Sequence, residues 1–274
     1  MAETRPGTSG REYVAALTGL RGIAAFSVFL FHYSALHPGI RLDQAIPVIG
    51  YFLQLPLGLG FAGVDLFFVL SGFLLTLPFA RATLTGQPPP DRVRYFKRRL
   101  LRVFPAYYAQ LLIILVVGSW FVSWKSLDVP GLAAHLGMLF NIGPDPVRPI
   151  VGLWWTLPVE LSFYLLLPLI APLMKPRKWW LLLAGGFAVS IVYRLWAAAG
   201  YGDVPGEVVF LNASQLPGSL PEFLIGASAA ILVQQVDLGR FQRPSTRAAE
   251  GIFLAGLVLV FIWLSQVVFN FAPV

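Results

Sequence analysis

The chain has 274 residues, 57% of them hydrophobic and only 12% charged, with a mean hydropathy of +0.73 and a formal net charge of +7. A soluble domain carries about 25% charged residues, so this sequence cannot cover a globular surface with solvated side chains, and lipid is the solvent its composition fits. It has no cysteine, which excludes disulfides, a thiolate nucleophile and a Cys-ligated metal.

A spanning helix needs about 20 predominantly apolar residues. Seven runs qualify, at about Val14–Ser34, Val48–Phe79, Ala106–Trp124, Val151–Met174, Trp179–Ala199, Val208–Gln234 and Gly251–Phe271. They predict an all-α, polytopic transmembrane helix bundle filling 1–274 as a single membrane-embedded domain. The polar N-terminus up to Arg11 has no short apolar region ending in small residues, so the first span is expected to be retained rather than cleaved. Within the long second run, Pro47 and Pro56 point to a partly embedded segment before a span at Leu57–Phe79. Gln87–Pro90 is a Pro-rich turn that stops helix propagation ahead of a basic run. Pro105 predicts that the third span starts or kinks there, and Gly131–Ile142 is too short to span and is expected at the interface or re-entering.

Charge orients this layout. Sixteen of the twenty Lys and Arg residues fall on segments that share the side of the N-terminus, including Arg81–Arg102 and Lys175–Lys178. Three (Arg41, Lys125, Arg148) fall opposite, and Arg194 lies inside a span. By the positive-inside rule the N-terminus is cytoplasmic in a plasma or inner membrane. Basic residues placed this way fit bilayer orientation, and no nucleic-acid partner is expected.

Ionisable groups within spans are rare and need a reason. Arg21 and His32 are eleven residues apart, or 20° past three helical turns, so they share a face about 16 Å apart along the axis. That face offers a cation for an anion and, further on, a base; alternatively, Arg21 snorkels to headgroups and His32 bonds a carbonyl. Asp65, with Ser71 and Gly72 after it, admits a packing role as readily as a chemical one. Arg98, Arg99 and Arg102 are spaced to share a helix face and suit phosphates, or are ordinary orienting charge. Glu160 sits amid Leu, Trp and Phe, where a surface role is hard to argue. Glu222 lies near an interface, Arg194 pairs with an acid that the sequence does not identify, and His37 and His135 fall in loops. The three histidines are scattered, so no metal site is expected.

Four segments resemble the acyltransferase-3 family of membrane-bound O-acyltransferases. LTGLRGIAAFSVFLFHY resembles that family's opening helix, with Arg21 and His32 on its Arg and His. FAGVDLFFVLSGFLLT resembles its second motif, placing Asp65, Ser71 and Gly72. RRLLRVFPAYY resembles its basic motif, with Arg99, Arg102, Pro105 and Tyr107 in place. LWWTLPVELSFYLLLPLI is similar to its Trp-Ser/Thr-Leu-x-x-Glu segment, with Trp155 and Glu160 on the Trp and the acid. Leu161 stands where many members carry a second Glu. The resemblance implies about ten spans, against which seven leaves this sequence short at its C-terminal end.

The resemblance implies an acyltransferase that moves an acyl group, acetyl above all, from acyl-CoA to a hydroxyl of a carbohydrate, lipid-linked glycan or small glycoside. Acyl-CoA would be a co-substrate, with no tightly bound cofactor. Arg98, Arg99 and Arg102 would take its phosphates. His32 would serve as general base or transient acyl carrier, with Arg21 beside the path and Asp65 or Glu160 orienting the imidazole. Ser71, Gly72, Pro105, Tyr107 and Trp155 complete the motifs. The same intramembrane charges would also suit a multi-pass transporter or permease, which would not require the basic motif coupled to the Arg21/His32 stripe. An inactive scaffold is a third reading.

Overall fold

In the computed structural model the described residues are 9–37, 58–121, 128–175, 178–200 and 206–239. Their regular structure is helical, without a strand among the described residues, and eight α-helices follow one another along the sequence. These are α1 (Ser9–Leu36), α2 (Ala62–Thr85), α3 (Arg92–Phe121), α4 (Val129–Leu136), α5 (Thr156–Ile170), α6 (Trp179–Gly200), α7 (Gly206–Ala213) and α8 (Leu220–Asp237). Short 3₁₀ turns, Gly152–Trp155 and Ala171–Leu173, flank α5. Five helical stretches are long and apolar enough to cross a membrane: Leu17–Leu36, Ala62–Thr85, Arg92–Gly118, Gly152–Leu173 and Trp179–Gly200. The expected polytopic helical bundle is therefore what the sequence builds. The expected span at Gly251–Phe271 and the segment ahead of Leu57 lie outside the described residues.

Local chemistry sets the helix ends. Gly86 takes φ +70 just past α2, and the Gln87 N–H reaches back to the Ala82 carbonyl at 3.0 Å, which is the Schellman closure a C-terminal glycine permits. After the prolines, Asp91 accepts the Arg94 N–H at 2.7 Å and caps α3. Asp128 caps α4 through the Gly131 N–H at 2.8 Å.

Three expectations change. The third span does not begin at Pro105: α3 runs from Arg92 through that proline, whose ring is exposed, so the helix absorbs the missing hydrogen bond. The run Val208–Gln234 is not one span. It breaks between α7 and α8, where Gly218 packs so tightly that a Cβ would overlap the Ala213 carbonyl, and buried Ser214, Gln215 and Ser219 engage backbone and side-chain partners instead. His135 lies in α4 and is fully buried, not in a loop. The stretch around it is too short to span, as expected, and folds into the protein core.

The described residues divide between two compact units. One holds α1, α2 up to Leu70 and the end of α8 from Val236; the other holds Ser71–Gln235. In the first, Ala24 and Val28 are buried on α1, and a Cβ at Gly60 or Gly63 would collide with the α1 backbone at Ser27 or Ala24. Helix α1 thus lies directly on the entry to α2, with Phe31 edge-on to Phe61 at 5.9 Å. Phe26, Phe29 and Tyr33 stay exposed on α1, as a lipid-facing stripe would.

In the second unit, Phe163 of α5 stacks on Phe223 of α8 at 4.2 Å. A Cβ at Gly72 would strike the Phe223 carbonyl, so Gly72 lets α2 lie against α8. Tyr107, Leu111, Met138, Phe140 and Trp154 form a further core. The Arg194 of α6 pairs with Glu222 at 3.6 Å and donates to the Gly218 carbonyl at 2.8 Å, which names the acid that the sequence left open.

Candidate functional site

The residues of α1 come first. Positions 21, 24, 28 and 32 form one helical stripe, and its middle members, Ala24 and Val28, are the ones buried against α2. Arg21 and His32, each half-buried, therefore bracket a packed stripe rather than a lipid-facing one.

His32 Nδ1 lies 2.8 Å from the Val28 carbonyl oxygen. A carbonyl only accepts, so in the neutral ring the proton sits on Nδ1 and Nε2 keeps a lone pair. The partner at Nδ1 is thus a backbone carbonyl. His37 and His135 make the same contact one turn back, to Tyr33 and Gly131. What separates the three is their surroundings. His135 is buried, and its Nε2 accepts the Ile150 N–H at 3.0 Å, which makes it a structural joint. His37 is exposed and stacks on Tyr33 at 4.4 Å. His32 is the half-buried one, with Phe31 edge-on to its ring at 5.3 Å.

Asp65 is half-buried in the first turn of α2, where the helix dipole favours a negative charge by about 0.3–1 kcal/mol.

In the second unit Glu160 gathers neighbours from three helices. The Ser71 hydroxyl of α2 donates to Glu160 Oε1 at 3.0 Å. Tyr164, one turn further along α5 and buried, brings its hydroxyl within hydrogen-bonding reach of the same carboxylate. From α3, Arg99 shares a crevice with Glu160 and Tyr164, and Tyr95, one turn before Arg99, lies within electrostatic reach of both charges. The rest of the crevice is apolar, walled by Leu100, Val103, Phe104, Met138, Leu157 and Leu161, and too tight for a water molecule. Low polarity strengthens every charge interaction inside it. Two buried donors beside the carboxylate, the Tyr95 hydroxyl and Arg99 Nε, have no acceptor among the described residues.

The basic motif does not act as one face. Arg99 turns inward and is half-buried, whereas Arg98 and Arg102 are exposed, though the Arg102 charge still reaches Tyr164. Consecutive residues on a helix stand 100° apart, so Arg98 and Arg99 were bound to diverge once one wall of α3 packed.

Two motif residues are structural. The buried Tyr107 hydroxyl donates to the His135 carbonyl at 2.7 Å, and its ring meets Trp154 at 4.8 Å. Trp155, half-buried, sets its ring edge-on to Phe210 at 5.2 Å, and its carbonyl takes the Asn141 amide at 3.3 Å. Tyr95 and Tyr164 escaped the sequence reading. Each sits four residues from a charged motif position, Arg99 or Glu160, and that spacing was the signal available. Among the described residues no group of His, Asp and Glu has metal-binding geometry.

The acyltransferase-3 family profile, described as an acyltransferase domain, matches residues 14–273. The chain belongs to the acyltransferase-3 family. It is 25% identical over 263 residues to the peptidoglycan O-acetyltransferase OatA of Listeria monocytogenes, covering 92% of this chain and 34% of the relative. It is 26% identical over 181 residues to the O-acetyltransferase OatA of Staphylococcus aureus, covering 61% of this chain and 26% of that protein. The acyltransferase MdmB of Streptomyces mycarofaciens is 28% identical over 190 residues, 65% of this chain and 44% of its own length. The chain thus spans between about a quarter and under a half of these relatives. No solved structure matches it. With its long apolar helices, this acyltransferase-3 member is an integral membrane protein.

Proposed function

We propose that the protein is a membrane O-acyltransferase that moves a short acyl group, acetyl in the first instance, from acyl-CoA to a carbohydrate hydroxyl. The observation that carries this reading is the continuity of α3. One unbroken helix from Arg92 to Phe121 bears the exposed cations Arg94, Lys97, Arg98 and Arg102 and, on its packed wall, Arg99 beside Glu160. A donor held by its phosphates at the exposed cations would lie at a fixed offset from the buried carboxylate. The family membership and the acetyltransferase names of its relatives support the reaction class; the peptidoglycan in one relative's name supports a glycan acceptor.

In this reading the N-terminus is cytoplasmic, which the distribution of Lys and Arg supports, and the acceptor approaches from the opposite side. In the neutral ring Nε2 of His32, free to accept while Nδ1 donates to the Val28 carbonyl, takes the acceptor hydroxyl's proton as its oxygen attacks the thioester carbonyl. The C–S bond breaks, the ester forms, and the imidazolium returns the proton to the departing thiolate. Arg21, on the same stripe, balances negative charge on the donor. Glu160, tied by Ser71, holds Arg99 as a fixed cation near the donor's path. Asp65 anchors the start of α2 on the same unit as α1.

The test is transfer of radiolabelled acetyl from acetyl-CoA to short glycan acceptors by the protein in nanodiscs. Acceptor-dependent ester formation that His32→Ala removes is the expected result. Donor turnover unchanged by that substitution would overturn the assigned base.

A further inference from the structure

We infer that a recess at the α2–α3 turn is the seat of the nucleotide end of the thioester donor; this rests on the acyl-CoA reading above. The recess has a volume of about 220 Å³ and is lined by Phe79, Thr83, Gln87, Arg92 and prolines of the turn and of the α5 end. It is walled where three elements finish or begin: the last turns of α2, the first residue of α3 and the 3₁₀ turn after α5. All of these lie in one compact unit.

Its chemistry is that of a base-and-phosphate site. Proline faces and the Phe79 ring give flat apolar walls on which a purine can lie. The Thr83 hydroxyl and the Gln87 amide supply a donor and acceptors at its edge. Arg92 adds a planar guanidinium that stacks on bases as well as pairing with phosphate. Around the recess the charge is predominantly positive. Arg81, Arg92, Arg94, Lys97, Arg98 and Lys175 are all exposed, and Arg92 to Arg98 span about 9 Å of α3. The nearest acid, Asp91, spends one carboxylate oxygen on the Arg94 N–H at 2.7 Å. A phospholipid headgroup would satisfy the cations but has no use for an apolar-walled, amide-edged recess.

The proposal also explains how one donor spans α3. With the adenosine end at Arg92 and the phosphates at Arg94–Arg98, the pantetheine arm runs along the helix toward Arg99 and Glu160. The basic motif then holds the middle of the donor, and the recess holds its tail.

The experiment compares wild type, Thr83→Trp and Thr83→Ala in phosphatidylcholine nanodiscs. Thr83 is exposed on α2, so tryptophan there fills the recess without entering the core. Calorimetry with adenosine 3′,5′-bisphosphate is expected to give saturable binding that Thr83→Trp weakens at least about tenfold, tenfold being 1.4 kcal/mol, and that Thr83→Ala, which removes the hydroxyl but adds no bulk, weakens less. KM for acetyl-CoA should rise in parallel in Thr83→Trp, while KM for acetyl-pantetheine, which lacks the nucleotide, stays the same. Equal effects on both donors, or bisphosphate binding indifferent to Thr83→Trp, would overturn the assignment. Should wild type turn over neither donor, the acyl-CoA reading fails by itself, and bisphosphate binding alone still decides the recess. Binding that follows added anionic lipid rather than bisphosphate would mark a headgroup site and also overturn it.

Discussion

Single side chains divide into those that hold the fold and those set aside for chemistry. Tyr107 belongs to the first kind. Removing its hydroxyl takes the shorter of two hydrogen bonds from the His135 carbonyl, which keeps the Met138 N–H at 3.2 Å, so Tyr107→Phe is expected to cost about 0.5–1.5 kcal/mol, seen as a lower midpoint of thermal unfolding in detergent. Tyr108→Phe, at an exposed bond to the Leu136 carbonyl, is expected to stay within about 0.5 kcal/mol of wild type. Under the proposed function Ser71 would be of the second kind: Ser71→Ala keeps the packing but releases Glu160 Oε1, and acetyl transfer is expected to fall roughly tenfold with little change in unfolding midpoint. Sequence motifs singled out both Ser71 and Glu160, but not that they touch. They are 89 positions apart, and no local period links two helices. Tyr95 and Tyr164 were within reach, since four-residue spacing alone puts them beside Arg99 and Glu160.

The Pro-rich stretch Gln87–Pro90 was legible as a turn that ends a helix, and in the structure Gly86 and Asp91 complete it. Hydropathy failed where it averages over an interruption: the polar residues Ser214, Gln215 and Ser219 are too few to lower an apolar run, yet their bonds part α7 from α8. The third span also starts well before Pro105, because a proline on an exposed helix face removes one hydrogen bond without ending the helix. Pro105→Ala is accordingly expected to leave the helix in place and raise the unfolding midpoint. Gly72 is the opposite case. Any side chain there meets the Phe223 carbonyl, so Gly72→Leu is expected to separate α2 from α8 and cost more than about 3 kcal/mol, visible as loss of folded protein by size-exclusion chromatography.

The whole molecule was the most legible of the three scales. Few charges, long apolar runs and a one-sided distribution of Lys and Arg suffice for a polytopic membrane protein, because the bilayer constrains length and composition more tightly than water does. The absence of cysteine makes orientation directly measurable. In intact cells, a cysteine placed at Gln87 is expected to resist a membrane-impermeant maleimide, and one placed at Asp145 to react; the reverse pattern would invert the topology. What composition does not carry is the difference in surroundings among three histidines that share one backbone contact; that is read from the burial around each ring. The central claim is that His32 is the base of an acyl transfer. The measurement that tests it most directly is single-turnover acetyl transfer from acetyl-CoA to a glycan acceptor by wild type and by His32→Ala of equal thermal stability. A fall of at least about 100-fold in the transfer step, with donor binding unchanged, is the predicted result. Equal transfer rates in the two proteins would contradict it.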